Sequence, residues 1–480
     1  MLARTTRSLL LIVVLAPLGL APALAQPPTS PPDNDFILRG SATGLASVLA
    51  SHGLTEIDRL DSQPAGEDVC LVRADAMADP QQVVDDLSLE PAVNAVEEVL
   101  LANLPETYSS MDLEPLMSVV TGALGDASTV AFGTDAAGNS RSVWTSYVDQ
   151  TAAQILRISE AQSTYDGSGA IVAVIDSGID PDHPLFAGHL VPGYDFVLDQ
   201  PGTASEWSLL NESSMAILGE SSMAILGTED TVRINESSMA ILGDHQANDL
   251  VVEDIPPAFG HGTMVAGIIH RVAPGAKIMP LRAFDGDSTA SLFNIVRAIH
   301  YAVDNGATVI NMSFSLETFS WELVRAVGYA LSNGVRLIAS VGNAGSNIVV
   351  FPAGLLGVFG VASSDDVDSL SGFSNFGLLQ ATIAAPGENV ITAYPGGGWA
   401  AASGTSFAAP WVSGAVALFA DKRGSGGPGE VRTLEILSAL GADDPLYGAS
   451  PNSVFHERLD IKAALDSISE GGAGPWWWGN

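Results

Sequence analysis

Apolar residues follow two patterns along the central part of this chain. Runs of four to six apolar residues, such as Ala170–Ile175, are rich in β-branched side chains and predict strands buried on both faces, which is typical of parallel sheets. Longer apolar stretches with small residues, such as Phe407–Ala420 and the segment that begins at His261, predict helices. The two alternate, so we expect an α/β fold: a mostly parallel sheet with helices on both faces.

An earlier stretch, residues 35–104, has a pattern of its own, and we call it the N-terminal unit. It predicts six elements in the order βαββαβ, and about 70 residues are just enough to fold independently. The expected elements are a strand at Phe36–Leu38, a helix at Ala42–Ser51, strands at Leu54–Leu60 and Asp68–Ala74, a helix after Asp79, and a strand at Val93–Ala102. The sequence therefore predicts a small α+β domain before the α/β domain.

The two ends of the chain and the segment between the domains carry separate signals. Residues 1–25 predict a secretory signal peptide, because Arg4 and Arg7 precede a short apolar run and a small-residue cleavage site. Residues 105–144 predict a flexible linker or a mature N-terminal arm. Residues 468–480 form a Gly/Trp tail, which is either a docking tag or a segment folded back onto the protein. After the signal, no stretch is long and apolar enough to span a bilayer.

An eight-residue repeat occupies residues 204–243. Glu-Ser-Ser-Met-Ala-Ile-Leu-Gly occurs at 212–219, 220–227 and 236–243, residues 228–235 fit the same register, and residues 204–211 fit it more loosely. Gly or Asn closes every unit, which indicates turns between short strands. The insertion could be a recognition arm, a self-association surface or a tolerated surface expansion.

Composition narrows the class of protein. The chain has 55 acidic and 19 basic residues, a formal net charge of −36, and Cys70 as its one cysteine. This charge opposes nucleic acid and anionic membranes as partners and suits a soluble, secreted protein. With its cysteine in the N-terminal unit, the α/β domain has no disulfide and must depend on a large core.

Three polar residues stand at ends of predicted elements. Asp176 ends the strand at Ala170–Ile175, His261 begins a helix between two glycines, and Ser406 begins the helix at Phe407–Ala420. A serine there exposes its hydroxyl beside backbone N–H groups that have no intrahelical partner, which suits a nucleophile. Taken singly, an Asx-turn aspartate, a surface histidine and a helix N-cap are the ordinary interpretations.

Together the three resemble the subtilisin-like serine peptidases, in which the triad runs Asp, His, Ser along the chain. The motifs are Asp-Ser-Gly at 176–178, His-Gly-Thr at 261–263 and Gly-Thr-Ser-Phe-Ala-Ala-Pro at 404–410, and the resemblance covers residues 145–467. It implies that Ser406 is the nucleophile, His261 the general base and Asp176 its orienting partner. It also implies that Asn343 donates to the oxyanion, and that no metal or organic cofactor is required.

The same resemblance suggests the substrate cleft. Residues 309–315 look like the strand that pairs with the substrate backbone, although relatives commonly have Gly where Ser315 stands. Ser340, Val341 and Gly342 are expected to line the pocket for the side chain before the cut, with large apolar side chains preferred. Phe314 is expected either to narrow that pocket or to form the rim of a neighbouring one.

Calcium sites of the family match poorly. Leu185 stands where many relatives have an acidic ligand, and the helix after His261 lacks the usual calcium-binding insertion. We therefore expect no strong calcium site. The acidic residues Asp365, Asp366 and Asp368 could hold a weakly bound ion, but solvated loop carboxylates are the simpler interpretation.

By the same resemblance, the N-terminal unit is an inhibitory propeptide and folding aid whose end, near Leu104–Tyr108, lies in the active site. The sequence therefore predicts a secreted serine endopeptidase that acts on polypeptides and is made as a self-processing zymogen. Two other classes remain open. One is an adhesion protein that works through the repeats and the Trp tail; the other is an esterase, although Ala408 replaces the last glycine of the esterase motif Gly-x-Ser-x-Gly.

Overall fold

The computed structural model describes residues 34–60, 66–104, 128–134, 140–209, 233–235, 239–242, 256, 258–377, 379–422 and 458–469. The predicted signal peptide, the first two exact octapeptide copies and the tryptophans of the tail lie outside the described residues. In the described part of the chain, no helix is long and apolar enough to cross a membrane.

The N-terminal unit is a four-stranded antiparallel sheet with two helices, and its strands lie in the spatial order β2-β3-β1-β4. Phe36, Leu38, Cys70 and Val72 form its core with the first helix. Its elements are β1 (Asp35–Gly40), α1 (Ala42–His52), β2 (Thr55–Leu60), β3 (Asp68–Arg73), α2 (Pro80–Ser88) and β4 (Val93–Glu98).

The last predicted strand of this unit is divided in two. β4 ends at Glu98, and a separate strand, β5 (Leu101–Asn103), leaves the unit to pair with the α/β domain. A continuous strand from Val93 to Ala102 is therefore wrong. The reason is tertiary, because β5 finds its hydrogen-bond partner outside its own sheet.

The segment between the domains also contains regular structure. β6 (Thr129–Thr134) and β7 (Ser140–Trp144) form an antiparallel hairpin, which differs from the flexible linker expected over 105–144. Phe132 and Val143 are buried, and the Phe132 ring lies 5.7 Å from that of Tyr147. Arg141 donates from its guanidinium to the carbonyl oxygen of Leu185 at 2.6 Å. These contacts hold the hairpin on the domain despite its small, polar composition.

The α/β domain contains the remaining helices and strands. They are α3 (Thr145–Val148), α4 (Thr151–Ile155), α5 (Ile158–Gln162), β8 (Ile171–Asp176), β9 (Gly193–Asp195), β10 (Gln200–Gly202), β11 (Arg233–Asn235), β12 (Met239–Leu242), α6 (His261–Val272), β13 (Lys277–Arg282), β14 (Thr289–Ser291), α7 (Leu292–Asp304), β15 (Val309–Met312), α8 (Trp321–Ser332), β16 (Arg336–Ser340), β17 (Val358–Ser364), β18 (Ile383–Pro386), β19 (Val390–Tyr394), β20 (Gly398–Ala402), α9 (Thr405–Lys422) and α10 (Ile461–Ser469).

An eight-stranded sheet forms the centre of this domain, in the order β10-β9-β13-β8-β15-β16-β17-β18. Every neighbouring pair is parallel except β10 with β9. Along β8, Val172 and Val174 belong to the core under α6 and α9, whereas Ala173 and Ile175 belong to the core under α7 and α8. Both faces are covered, which is why the strand is apolar throughout.

The third octapeptide copy contributes one strand to a second sheet. β12 pairs antiparallel with β20, with Met239 opposite Ala402 and Leu242 opposite Trp399, and β11 pairs with β12 on its other side. The loosely matching unit at 204–211 is different, because Glu206–Leu209 forms a 3-10 turn. Its resemblance to the repeat in sequence does not extend to its structure.

Candidate active site

Asp176 is the last residue of β8, so the sheet itself fixes its position. Its side chain is fully buried, and Oδ1 accepts a hydrogen bond from the Ser177 N–H at 2.8 Å. The same oxygen lies 2.7 Å from Nδ1 of His261. A carboxylate at this distance fixes the imidazole tautomer with the proton on Nδ1.

His261 is the first residue of α6 and is also buried. A Cβ on the next residue, Gly262, would lie 2.1 Å from the carbonyl oxygen of Gly178. Glycine at this position therefore lets the start of the helix approach the loop that follows Asp176. On the other side, the His261 ring centroid lies 5.5 Å from that of Phe407, the residue after Ser406.

Ser406 is the second residue of α9, where backbone N–H groups lack intrahelical partners. Its hydroxyl donates to the carbonyl oxygen of Ser313 at 3.1 Å, and the Ser313 hydroxyl donates to the Ser406 carbonyl at 2.9 Å. Asn311 extends this contact, because its amide donates to Ser313 and its carbonyl accepts from Ser413 in α9. A buried polar chain thus fixes the start of α9 against the strand β15.

Asn343 follows the turn after β16, and Thr405 sets its orientation. Its Oδ1 accepts from the backbone N–H of Thr405 at 2.9 Å and from the Thr405 hydroxyl at 2.8 Å. With the oxygen fixed, the amide donor is directed away from Thr405. Sequence reasoning missed Thr405, although its place directly before Ser406 was a signal that could have found it.

Backbone contacts hold the expected pocket residues in place. The carbonyl of Val341 accepts from the Asn375 amide at 2.8 Å, and the Gly342 N–H donates to the Thr405 hydroxyl at 3.1 Å. Gly342 has φ of 90°, a left-handed conformation that favours glycine. Ser340 is fully buried at the end of β16.

Phe314 lies deeper than a pocket rim would. Its side chain is fully buried, its ring centroid is 5.2 Å from that of Phe284, and the core cluster around it includes Ala102 and Leu104 of the N-terminal unit.

An extended peptide of the chain itself pairs with the segment that is expected to bind the substrate backbone. β5 pairs antiparallel with β14, so that Ala102 lies opposite Ala290. On its other side Asn103 and Ser315 exchange two backbone hydrogen bonds, each 3.0 Å long. Ser315 therefore pairs with an extended strand although it is not glycine. Ser315, with which this strand pairs, is two residues along the chain from Ser313, whose carbonyl accepts the hydrogen bond from the Ser406 hydroxyl.

Protein groups engage the acidic loop considered for calcium. Oδ1 of Asp365 accepts backbone N–H bonds from Val367 and Ser369, and Asp368 forms a 2.8 Å ion pair with Arg458. Asp366 accepts from the Asn389 amide at 3.1 Å. Within the described residues, no group of three or more His, Cys, Asp or Glu side chains could hold a metal ion. The metal expectations stay predictions.

Comparison with known proteins gives matches to one protein family. The model of the subtilase family matches residues 167–459. The "Thermophilic serine proteinase" of Bacillus sp. strain AK1 is 32% identical over 269 residues, which is 54% of each chain. Thermitase of Thermoactinomyces vulgaris is 29% identical over 283 residues, 57% of this chain and 82% of that relative.

A solved structure shows the fold independently. Fervidolysin from Fervidobacterium pennivorans, described as a keratinolytic enzyme related to subtilisin, has a TM-score of 0.61 at 20% identity, covering 92% of this chain and 61% of that one. The match spans about half the length of the Bacillus proteinase. The chain belongs to the subtilase family, and both the predicted α/β fold and the predicted membership of this family are confirmed.

Proposed function

We propose that this chain is a serine endopeptidase that hydrolyses peptide bonds through an acyl-enzyme. Ser406 turns from Ser313 to His261 and attacks the peptide carbonyl, while His261 takes its proton and returns it to the leaving amine. Asp176 stabilises the charged imidazole, and Asn343 with the Ser406 N–H stabilises the oxyanion. Water then releases the acyl group. The 2.7 Å contact between Asp176 and His261 is the observation that supports this most directly.

The substrate is proposed to bind as an extended strand between β14 and Ser315. The pairing of β5 with these two segments supports this mode, because it is made entirely by backbone groups that any polypeptide has. Ser340, Val341, Gly342 and Phe314 are proposed to shape the neighbouring pocket, with a preference for large apolar side chains. Each step uses groups of the protein, so we propose that the reaction needs no cofactor.

The N-terminal unit is proposed to be an inhibitory propeptide of a secreted zymogen. Arg39 in β1 forms a two-pronged ion pair with Glu322 of α8, at 3.1 Å from Nε and 2.6 Å from a terminal nitrogen. Glu97 in β4 accepts the N–H groups of Trp321 and Glu322 and thereby caps the same helix. These contacts support a unit that docks on the peptidase domain while its strand β5 blocks the cleft.

Labelling with a fluorophosphonate followed by intact-mass measurement tests the proposal, with Ser406→Ala as the control. We expect one adduct on a shortened wild-type chain and none on an uncleaved control, and the mass would locate the cut. A folded, processed wild type that takes no adduct would contradict the peptidase assignment. The adhesion protein built on the octapeptides would then be the better interpretation.

A further inference from the structure

Glu206 is a buried carboxylate that the proposed mechanism does not use. It follows Ser205, which pairs with Ile179 in an isolated parallel bridge, and its side chain has no exposed surface. Oε1 accepts from the Ser177 hydroxyl at 2.6 Å and from the Gly262 N–H at 2.9 Å, and Oε2 accepts from the Thr263 hydroxyl. Ser177 is the residue after Asp176, and Gly262 is the residue after His261.

We propose that Glu206 is a positioning residue that ties the Asp176 segment to the start of α6 and so sets the contact between Asp176 and His261. The inference rests on the proposed function, because it concerns the geometry of the same triad. It gives the stretch between Asp176 and the octapeptides a role in catalysis.

The hydrogen-bond donors around Glu206 indicate that its side chain holds the two segments together as an ionised carboxylate. The Ser177 hydroxyl accepts from Gly262 N–H at 3.0 Å, and the Thr263 hydroxyl accepts from Asp180 N–H at 2.8 Å. Each hydroxyl has one proton, and each directs it at Glu206. Only an acceptor-only carboxylate satisfies all these donors. The positive end of α6, a helix of 12 residues, stabilises that charge.

Other surroundings oppose the charge. Burial, and then the negative charge of Asp176, raise the pKa of Glu206 to about 7, against the hydrogen bonds that lower it. The titratable groups around it are Asp176 on β8, Asp180 after β8, His261 on α6 and Tyr394 on β19. Burial, and then the negative charge of Glu206, raise the pKa of Tyr394. The positioning carboxylate is thus formed only as the pH rises through neutrality.

Activity and stability should therefore depend on pH in opposite directions at this residue. Protonation replaces an acceptor with an O–H that faces donors, so the acid limb of kcat contains Glu206 as well as His261. For stability, a carboxyl whose pKa rises from 4.5 to about 7 on folding favours the folded state below pH 4.5. That contribution is lost as the pH rises from 4.5 to about 7.

The first test is Glu206→Gln in the full chain, which keeps the size and removes the charge. At about pH 9 we expect kcat to fall about 10- to 100-fold with KM within about twofold of wild type. The acid limb should also become less steep, because one of its two protonations is gone. Asp460→Asn is the matched control: Asp460 is a buried carboxylate that accepts the Ala463 N–H at the start of α10, and its loss should leave kcat and the limb unchanged.

A second variant keeps the inference falsifiable if Glu206→Gln does not fold. Ser177→Ala removes one donor to Glu206, so the pKa of Glu206 should rise and the acid limb should move to higher pH. An unmoved limb, or a Glu206→Gln enzyme with wild-type kcat and only a lower melting temperature, would overturn the positioning role. Fluorophosphonate labelling of the wild type distinguishes failure of the positioning role from failure of the proposed function. If the wild type takes no adduct, the proposed function itself fails.

Discussion

At the scale of single residues, hydroxyl groups set the orientation of the proposed catalytic groups. The Thr405 hydroxyl donates its proton to Oδ1 of Asn343 and accepts a hydrogen bond from the Gly342 N–H. Ser313 does the same between Asn311 and the Ser406 carbonyl. Because a hydroxyl has one proton, each of these groups donates to one partner and accepts from the other, which fixes the direction of both hydrogen bonds.

Replacing Thr405 with Val tests this orientation. The change keeps the shape and removes the hydroxyl, so the Asn343 amide loses one of its two fixed contacts. We expect kcat to fall about tenfold, less than the roughly 10²–10³-fold loss expected on removing the oxyanion donor itself. Thr405→Ser keeps the hydroxyl and should retain most of the activity. Equal turnover in Thr405→Val and wild type would show that the backbone N–H of Thr405 suffices.

His300 gives a pH dependence that belongs to stability alone. Its ring is buried and stacks on Tyr329 with centroids 4.4 Å apart, and burial lowers its pKa to about 4. The unfolded chain binds this proton near pH 6.5, so the folded state loses stability as the pH falls from 6.5 to about 4. The total is on the order of 3 kcal/mol.

His300→Phe should remove that slope while keeping a ring against Tyr329. Urea unfolding of both chains in the uncleaved Ser406→Ala background, above pH 6.5 and again near pH 5, is the measurement. We expect the free energy of unfolding to fall more between the two pH values in the chain with His300 than in the His300→Phe chain. The same loss in both chains would place the acid sensitivity elsewhere.

At the scale of elements, the proposed catalytic residues lie where strands end and helices begin. His261 and Ser406 are the first and second residues of α6 and α9, and Asp176 ends β8. The octapeptide insertion joins this arrangement through β20, the strand that leads to Ser406 by way of Thr405. β12 covers the edge of β20 along four residues. That edge would otherwise present unpaired backbone groups.

Replacing Met239–Leu242 with a Gly/Ser segment of equal length should uncover β20. We expect a lower melting temperature and a several-fold loss of activity, since the strand before Ser406 loses its neighbour. The same replacement in the first copy, at 215–218 within 212–219, removes the same four side chains without touching β12 and should have a smaller effect. Equal losses of melting temperature and activity in the two variants would indicate that the effect comes from the composition of the insertion rather than from the pairing of β12 with β20.

At the scale of the whole molecule, ionic contacts join the N-terminal unit to the α/β domain. Arg39 binds Glu322, which also accepts from Arg325, and Arg297 of α7 pairs with Asp58 of β2 at 2.6 Å. Arg39 and Glu322 are both buried, so removing Arg39 would leave the Glu322 charge buried in the docked state with one partner fewer. The docked state is therefore sensitive to a single side chain.

Arg39→Ala should release the N-terminal unit early. Glu322 keeps Arg325 as a partner, so we expect a lag before activity on a fluorogenic peptide that is about tenfold shorter, rather than a complete loss of docking. Arg73→Ala is the control, because Arg73 pairs with Asp35 inside the same unit. A lag shortened equally by both changes would mean that the unit's own stability, and not the ion pair with Glu322, controls release.

Most of the elements and the protein family could be predicted from the sequence alone. An apolar run such as Val172–Ile175 has one good solution, a strand covered on both faces, and the motifs around Asp176, His261 and Ser406 stand at element ends within that pattern. These are local signals, so one sequence sufficed for the α/β fold and the subtilisin-like class.

Contacts between segments that are distant along the chain could not be predicted from the sequence. Glu206 looked like part of a repeat, yet it lies against Ser177 and Gly262 because the chain folds back between them. β5 looked like the end of β4, yet it pairs with β14. Hydrogen-bond partners remote in sequence leave no periodicity in either segment, since a buried carboxylate or a short strand is stabilised by what surrounds it rather than by its own neighbours.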